Sequence, residues 1–324
     1  RSIFTIVKST PPSASNKHRR VEYGQYGSSA DRGAPPSSGL AVPYDARAEP
    51  QELTSARAQG RLALICGYGR MPVEVAEAAR ASGDDPVIVA LRNEADQDWS
   101  GFTHEHFSIG DLSGISRFFR KHGVTRLIMT GGVRHRPELR DLRPTWKTLG
   151  QAGNVIQALA GAGDDKILRI AISLFEAEGV EVIGAHEVTP GLLASPGAIG
   201  SVRPTEAHYK DIAVAREAAL TLGNLDIGQG AVAVAGRVVA LEGPEGTDGM
   251  LARVAEMRAS GRISRRHQGV LVKMCKPAQD MRADLPSIGP GTVRSAKAAG
   301  LAGIAIEVGR ALVLEREEAI KAAD

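Results

Sequence analysis

Short apolar runs alternate with longer amphipathic stretches along the chain from Arg61 onward. Apolar runs of about four to eight residues predict buried strands, whereas apolar residues recurring every three or four positions predict helices. Strands that alternate with helices are typical of βα units arranged around a mostly parallel sheet. The pattern therefore predicts an α/β protein.

The first half of the pattern contains two units in which a strand leads into a glycine turn. The strand RLALIC, residues 61–66, leads into GYGRMP and the helical stretch VEVAEAARASG, and the strand Arg126–Thr130 leads into Gly131, Gly132 and Val133. The other elements predicted here are a strand at 86–92, helices at about 151–162 and 164–178, and a strand at 180–186. These elements predict a Rossmann-like N-terminal domain over residues 61–193.

A segment rich in Gly, Pro and Ser, residues 191–206, predicts a linker. Beyond it, residues 194–324 predict a second α/β domain. Its predicted elements are a helix at about 205–222, a β-hairpin within 225–248 that turns near Gly236, a helix from about Gly249, a strand at Gly269–Val272, a helix at Thr292–Ala299, strands at 301–307 and 311–315, and a final helix.

Residues 1–60 have a different composition, with PPSAS, GSSADRGAPPSSG and KHRR and no sustained periodicity. Such a segment buries too little apolar surface to order itself, so we expect a disordered N-terminal tail. The chain starts at Arg1 rather than Met, which is compatible with a fragment, a processed end or translation from upstream.

Charge and cysteine content narrow the classes of function. The formal net charge of +3 lies in residues 1–60, which hold eight Lys/Arg and five Asp/Glu, so the rest of the chain is neutral. A neutral body lacks the basic footprint of a nucleic-acid-binding protein. The two cysteines, Cys66 and Cys275, form no CxxC or zinc motif, which fits a reducing cytoplasm. We expect Cys66 to be a core residue and assign Cys275 no role. No apolar run approaches the ~18 residues of a transmembrane helix.

Both glycine turns follow apolar strands, so they are expected at the carboxyl edge of a parallel sheet, where open α/β sheets bind ligands. Glycines let backbone N–H groups approach a phosphate at a helix N-terminus. In the first turn Gly67 and Gly69 are present, but Pro72 occupies the third position of the dinucleotide-binding GxGxxG pattern. Glu94, after the next strand, is an acid that could bind a ribose, so a dinucleotide site stays open as one interpretation. A tight turn without a ligand is the other.

The segment GVLVKMCKPAQDMRADLPSIGP, Gly269–Pro290, carries the strongest chemical pattern. Lys273 and Lys276 leave the strand first, and Asp280 and Asp284 follow. Ammonium groups neutralise phosphate charge and Asp oxygens are hard ligands for Mg²⁺, so the loop suits a phosphate bound together with a metal ion. A solvated loop whose charges pair with one another is the alternative.

A second polar loop, EGPEGTD, precedes a predicted helix. Thr247 and Asp248 within it are candidates for metal or phosphate contacts, and both are also candidates for capping the helix.

Several motifs closely resemble the LpxI-type UDP-2,3-diacylglucosamine pyrophosphatases of lipid A biosynthesis. The motifs are RLALICGYGRMPVEVAEAAR, GGVRHRP, GDDKILR, EVIGAHEVTPGLLA, LDIGQGAVAV, EGPEGTDGML, GVLVKMCKPAQDMRADLPSIGP and AGLAGIAIEVGRALVLERE. They cover residues 61–324 in unbroken order. The chain departs from the family in three respects. Tyr68 stands where a third glycine is common, and residues 1–60 have no counterpart. The short segment that usually follows the last helix is missing.

The resemblance implies Mg²⁺-dependent hydrolysis of UDP-2,3-diacylglucosamine to 2,3-diacylglucosamine 1-phosphate and UMP. It implies that Asp284 is the essential carboxylate, that Asp248 is a second metal-side residue, and that Lys273 and Lys276 face the diphosphate. The residues expected to bind substrate are Gly67, Tyr68, Gly69, Gly131, Gly132, Val133, Gln229 and Thr247. The acylated substrate implies peripheral association with the inner face of the cytoplasmic membrane, and a homo-oligomer is compatible with the family.

Two other classes of function are kept open. An NAD(P)-dependent oxidoreductase would use the N-terminal domain for its dinucleotide, and a non-catalytic nucleotide-sugar-binding protein would use the glycine turns alone. Neither explains the Lys/Asp loop.

Overall fold

The computed structural model describes residues 4–8, 60–135, 164–277 and 279–324. The helix expected at about 151–162 lies outside these ranges, as does most of the expected tail. The strands are β1 (Phe4–Lys8), β2 (Arg61–Cys66), β3 (Val87–Leu91), β4 (Thr103–Phe107), β5 (Val124–Thr130), β6 (Glu181–Val182), β7 (Gly197–Ala198), β8 (Gly230–Val234), β9 (Arg237–Leu241), β10 (Val270–Lys273), β11 (Ser287–Ile288), β12 (Gly303–Glu307) and β13 (Leu312–Val313). The helices are α1 (Met71–Ala81), α2 (Leu112–His122), α3 (Asp164–Ala177), α4 (Ala185–Val188), α5 (Glu206–Asn224), α6 (Gly246–Ala259), α7 (Pro290–Ala298) and α8 (Arg316–Ala323).

The N-terminal domain contains a parallel sheet in the order β4-β3-β2-β5-β6. All five residues of β3 are buried, and so are all residues of β2 after Arg61. Continuous apolar strands of this kind are typical of a parallel sheet covered on both faces. The expected α/β fold class is confirmed here, and both glycine turns follow the carboxyl ends of adjacent strands, β2 and β5.

Local sequence sets the ends of the helices. Helix α2 begins where the Asp111 side chain accepts a hydrogen bond from the Gly114 amide at 3.0 Å, and it ends at Gly123, whose φ is 66°. A carboxylate cap and a left-handed glycine are common signals at the two ends of a helix. Helix α1 has Pro72 in its first turn, where the missing N–H has no cost.

The C-terminal domain contains a mixed sheet in the order β7-β1-β12-β10-β8-β9. Strands β10 and β12 run parallel, and β8 pairs antiparallel with both β10 and β9. The hairpin between β8 and β9 turns at Ala235 and Gly236, as predicted, with both residues at positive φ. The buried Asp211 carboxylate on α5 holds this turn by accepting hydrogen bonds from both amides, at 3.2 and 2.6 Å.

The N-terminal segment and the linker differ from expectation. Within the segment expected to be a disordered tail, Phe4–Lys8 forms strand β1, which lies parallel to β12 and antiparallel to β7. The linker expected over residues 191–206 contains β7 and the end of a short 3₁₀ turn at Pro190–Leu192. Sequence periodicity missed both strands because each is short and is stabilised by pairing with residues distant in the chain.

A small apolar cluster lies where the two domains meet. It contains the buried residues Cys275, Leu285 and Leu312 of the C-terminal domain, and Met71 at the start of α1 packs against it. The described parts of both domains belong to one compact unit. Among the described residues, no helix combines the length and apolarity needed to cross a membrane.

Candidate active site at the domain junction

The candidate site lies at the carboxyl ends of β10 and β12. Lys273 at the end of β10 is paired with Ile306 of β12, so the two strands end together. The segments that follow them, which begin at residues 274 and 308, therefore leave the sheet at the same edge. Ligands bind at this edge in open α/β sheets.

The Asp284 carboxylate is held by Gln279. The side-chain amide of Gln279 donates from Nε2 to Oδ2 of Asp284 at 2.5 Å. Its carbonyl oxygen accepts from the Lys276 amide at 2.9 Å and from the Cys275 thiol at 3.3 Å. Gln279 is itself buried, so the orientation of Asp284 is set by a group that has little freedom of its own.

Both lysines expected at the diphosphate have partners within the protein. Lys273 is buried, and its Nζ donates to the Ser287 carbonyl at 3.0 Å. Lys276 forms a 2.6 Å ion pair with Asp226, and its side chain is only 14% exposed. The structure thus brings both lysines to the Asp284 loop, where they brace the loop against its neighbours.

Cys275 lies at the centre of this site. Burial raises the pKa of its thiol to about 11, and the charges of Glu307 and Asp284 add to the rise, while Arg310 opposes it. The two lysines beside Cys275 in the sequence therefore do not activate it. The thiol donates a hydrogen bond to the side-chain oxygen of Gln279. Its sulfur accepts from Nη2 of Arg310 at 3.4 Å. Cys66, as expected, is a fully buried core residue.

Arg282 anchors the Asp284 loop to the N-terminal domain. Its guanidinium bonds to Asp280 at 2.7 Å and to Glu176 of α3, also at 2.7 Å. The hydrogen bonds from Arg282 hold the pKa of the Asp280 carboxyl below its ordinary value. Ala283 packs against the core of the N-terminal domain. Asp280 is thus an anchoring residue, and Asp284 is presented at the junction of the two domains.

Thr247 and Asp248 of the second polar loop lie in different surroundings. Glu242 is buried and accepts from the Thr247 hydroxyl at 2.7 Å and from the backbone N–H of Gln229 at 3.3 Å, so it holds Thr247 and Gln229 close together. The backbone carbonyl of Gln229 accepts from the backbone N–H of Met274 at 2.9 Å, which places Gln229 beside the strand end that carries the Asp284 loop. Asp248 instead is exposed and accepts from the Ser295 hydroxyl at 3.1 Å.

The protein ligands for a metal ion are few in this arrangement. Within the described ranges there is no group of three or more His, Cys, Asp or Glu side chains placed to hold a metal. Mg²⁺ is commonly held by one or two carboxylates together with substrate phosphates and waters. Asp284, a partly buried carboxylate at the sheet edge, fits a site in which one carboxylate and the substrate phosphates hold the ion.

The two glycine turns of the N-terminal domain bond to each other. The Tyr68 amide donates to the Gly132 carbonyl at 2.8 Å and the Gly132 amide donates back at 3.0 Å, while the Gly67 amide bonds to Thr130 and the Gly69 amide to Asp96. A Cβ on Gly67 would lie 2.0 Å from the Gly132 oxygen. These glycines allow one turn to approach the other, and their amides are not free to form the expected phosphate cradle.

Glu94 completes this pair of turns. Its buried carboxylate accepts from the Arg134 amide at 2.8 Å, and from both the amide and Nδ1 of His135, at 3.0 and 2.8 Å. The acid considered for a dinucleotide ribose is therefore occupied by the protein itself. The Arg134 guanidinium lies 3.9 Å from the Tyr68 ring centroid. The side chains exposed at these turns are then the candidates for ligand contact, and Val133 is one of them.

Sequence analysis missed Gln279, Glu307 and Arg310. The spacing of Gln279, three residues after Lys276, carried no motif signal on its own. Glu307 and Arg310 lie at and just after the end of a predicted strand. The rule that ligands bind at carboxyl strand ends could have identified them had the parallel pairing of that strand with Gly269–Val272 been predicted.

Comparison with known proteins identifies relatives of both domains. The family model for the LpxI N-terminal domain matches residues 61–192, and that for the LpxI C-terminal domain matches residues 195–324. The UDP-2,3-diacylglucosamine pyrophosphatase LpxI of Caulobacter vibrioides is 42% identical over 266 residues, which is 82% of this chain and 94% of the relative.

Among solved structures, the UDP-glucose 4-epimerase of Thermus thermophilus, in complex with NAD, aligns at 14% identity over 81% of this chain and 82% of the other. The TM-score of that alignment is 0.26.

Proposed function

The chain belongs to the LpxI family, and on that premise we propose that it hydrolyses the diphosphate bond of UDP-2,3-diacylglucosamine to give 2,3-diacylglucosamine 1-phosphate and UMP. The observation that carries the proposal is the placement of Asp284 in the matched C-terminal domain. The Asp284 carboxylate, oriented by a buried amide, stands at the sheet edge and at the junction of two domains. A nucleotide linked to a diacylated sugar is a bipartite substrate, which such a junction suits.

The reaction adds water across the diphosphate. The water oxygen bonds to one phosphorus, the bridging P–O bond breaks, and the proton lost by the water leaves through a nearby base or solvent. In this proposal Asp284 orients the water or holds a cation beside the phosphates. Gln279 fixes Oδ2 of Asp284 in place, so the carboxylate needs little reorganisation during the reaction.

We propose that Mg²⁺ is the cofactor, held by Asp284 together with the substrate phosphates. Bound Mg²⁺ supplies charge neutralisation and a more acidic water. Asp248 was expected as a second ligand, and its bond to Ser295 makes it an outer residue of this proposal. Gln229, held by Glu242 next to the Asp284 loop, is the candidate for contact with the nucleotide or sugar.

We propose further that the enzyme acts at the cytoplasmic face of the inner membrane through peripheral association. The reason is chemical, because a diacylated sugar nucleotide partitions into a bilayer and its acyl chains must be reached from the surface.

The test is release of UMP from UDP-2,3-diacylglucosamine presented in detergent micelles, with Mg²⁺ and with a chelator. We expect turnover with Mg²⁺ and a fall of at least about 100-fold with the chelator, because the phosphates lose charge neutralisation worth several kcal/mol. Incubation with NAD⁺ and with UDP-glucose serves as the control for a different class of reaction. Absence of UMP release from the diacylated substrate at any metal concentration would reject the proposed function.

A further inference from the structure

Neither lysine near Asp284 offers its charge freely to a diphosphate. The charges of Asp284 and of a second carboxylate, Glu307, both act on the Cys275 thiol. Lys273 and Lys276 are committed to Ser287 and Asp226. Two carboxylates near one thiol would repel an anionic substrate unless a positive charge lies between them and the solvent.

Arg310 supplies a positive charge here, because it contacts Glu307 and Cys275 and is more exposed than Glu307. Its Nη2 is 3.4 Å from the Cys275 sulfur, which is a weak acceptor, and its Nη1 is 3.7 Å from Oε1 of Glu307, which is longer than a hydrogen bond. The Arg310 side chain is 36% exposed, whereas that of Glu307 is only 5% exposed. A guanidinium has five N–H donors, and within the described ranges these two long contacts leave most of them for another acceptor.

The backbone around Arg310 is fixed by the linker between the domains. The Gly309 amide donates to the Ala194 carbonyl at 2.9 Å, and the Ala194 amide donates to the Ala311 carbonyl, also at 2.9 Å. Gly309 has a φ of 66°, so the turn is one that favours glycine. A guanidinium on a turn held from both sides loses little freedom when it binds.

We propose that Arg310 is a phosphate-binding residue, which contacts the diphosphate of the substrate. This proposal rests on the proposed function for the identity of the substrate. The planar fork of the guanidinium matches two phosphate oxygens, which a lysine ammonium does not. The alternative is a purely structural role, in which Arg310 only screens Glu307 from Cys275. The test must distinguish that role from phosphate binding.

The experiment measures binding of inorganic pyrophosphate to the full-length protein by thermal shift, without turnover. The variants are Arg310→Gln, which keeps a donor but no charge, and Arg310→Lys, which keeps the charge but not the fork. Arg237→Gln, at the exposed start of β9, is the matched control. We expect a saturable rise in Tm for the wild type and the control, binding at least about 10-fold weaker for Arg310→Gln, and intermediate binding for Arg310→Lys. For the enzyme reaction we expect KM to rise more than kcat falls.

Each outcome decides the proposal. Equal pyrophosphate binding by the wild type and Arg310→Gln, or no binding by the wild type, overturns it. A structural role predicts a lower Tm without ligand and an unchanged dissociation constant. If Arg310→Gln does not fold, Arg310→Lys carries the same comparison. If pyrophosphate binds through Arg310 while the diacylated UDP-sugar is not hydrolysed, the proposed function fails and the phosphate site stands.

Discussion

Asp284 owes its orientation to Gln279, whose amide is fixed at both ends. The Gln279 carbonyl accepts from two donors, the Lys276 amide and the Cys275 thiol, so the NH₂ group is the one that faces Asp284. Arg282, the surface partner that a simple ion pair would need, bonds instead to Asp280 and Glu176. At the residue scale, the buried side chain of Gln279 therefore sets the orientation of the Asp284 carboxylate.

Asp284→Ala tests that assignment. We expect turnover to fall by at least about 1000-fold, ~4 kcal/mol in barrier, because the nearest acid in the loop, Asp280, is held by Arg282. UMP release at saturating Mg²⁺ measures the loss, and circular dichroism and binding of the UDP-sugar show that the fold persists. Glu318→Ala, an exposed carboxylate paired with Lys321 on α8, is the control. A variant with more than about a tenth of wild-type turnover, ~1.4 kcal/mol in barrier, would contradict the assignment.

At the scale of elements, backbone hydrogen bonds between segments distant in the chain determine features that the sequence pattern does not predict. The two glycine turns act as one unit because each donates a backbone hydrogen bond to the other. Strand β1 shows the same effect over a longer distance, since it lies between β7 and β12 in the second sheet. An interior strand contributes hydrogen bonds on both of its edges, so β1 is expected to stabilise the C-terminal domain.

Disruption of β1 is expected to lower stability. Thr5→Pro removes a backbone N–H in the middle of the strand, and we expect Tm to fall by about 4 °C or more, whereas Thr5→Ala keeps the N–H and should have a smaller effect. Thermal unfolding followed by circular dichroism makes the comparison. Equal Tm values for the proline variant and the wild type would mean that β1 adds nothing to the fold.

Periodicity predicted most of the described strands and helices correctly, because burial on one or both faces leaves a local pattern. Helix α5 was expected at about 205–222 and runs over Glu206–Asn224. Periodicity did not predict β1, β4, β7, β11, α2 or α4. Strands β1 and β7 and the mutual bonding of the glycine turns are created by pairing between distant segments, whereas α2 carries local end signals, Asp111 and Gly123, that were overlooked. The same division holds for the site. Asp284 and the two lysines were found because they are close in sequence, whereas Glu307 and Arg310 join them only through the parallel pairing of β10 with β12.

At the scale of the whole molecule, the two domains are joined by polar contacts as well as by the linker. Glu74, in the first turn of α1, accepts a hydrogen bond from the Glu315 amide, with oxygens at 3.2 and 3.3 Å. Glu315 has a φ of 43°, an unusual conformation for a residue with a side chain. Burial raises the pKa of the Glu74 carboxyl and the Glu315 charge adds to the rise, although the hydrogen bond from the Glu315 amide opposes it.

This raised pKa makes a prediction about pH. The folded protein binds the Glu74 proton more tightly than the unfolded chain does, so protonation of Glu74 stabilises the folded state. This stabilisation is full below the unfolded pKa of about 4.3, and it is lost as pH rises through the folded pKa. Glu74→Gln keeps the acceptor and cannot ionise. We expect its Tm to exceed that of the wild type by about 2 °C at about pH 8 and to converge with it near about pH 4. Glu217→Gln, an exposed carboxylate on α5, is the control. A wild type more stable than Glu74→Gln at the higher pH would contradict the prediction.

The hydrogen bonds that Ala194 makes with Gly309 and Ala311 bear on how the two halves of such proteins can be recombined. Composition marks the region around Ala194 as a spacer, which suggests that N-terminal and C-terminal halves from different relatives could be exchanged there. Structurally, Ala194 is part of the turn that carries Arg310, and Leu193 pairs with Leu312 beside it. A chimera should therefore be spliced before Leu193, so that the spacer travels with the half whose turn it shapes. A splice after Ala194 would give that turn a spacer it did not evolve with.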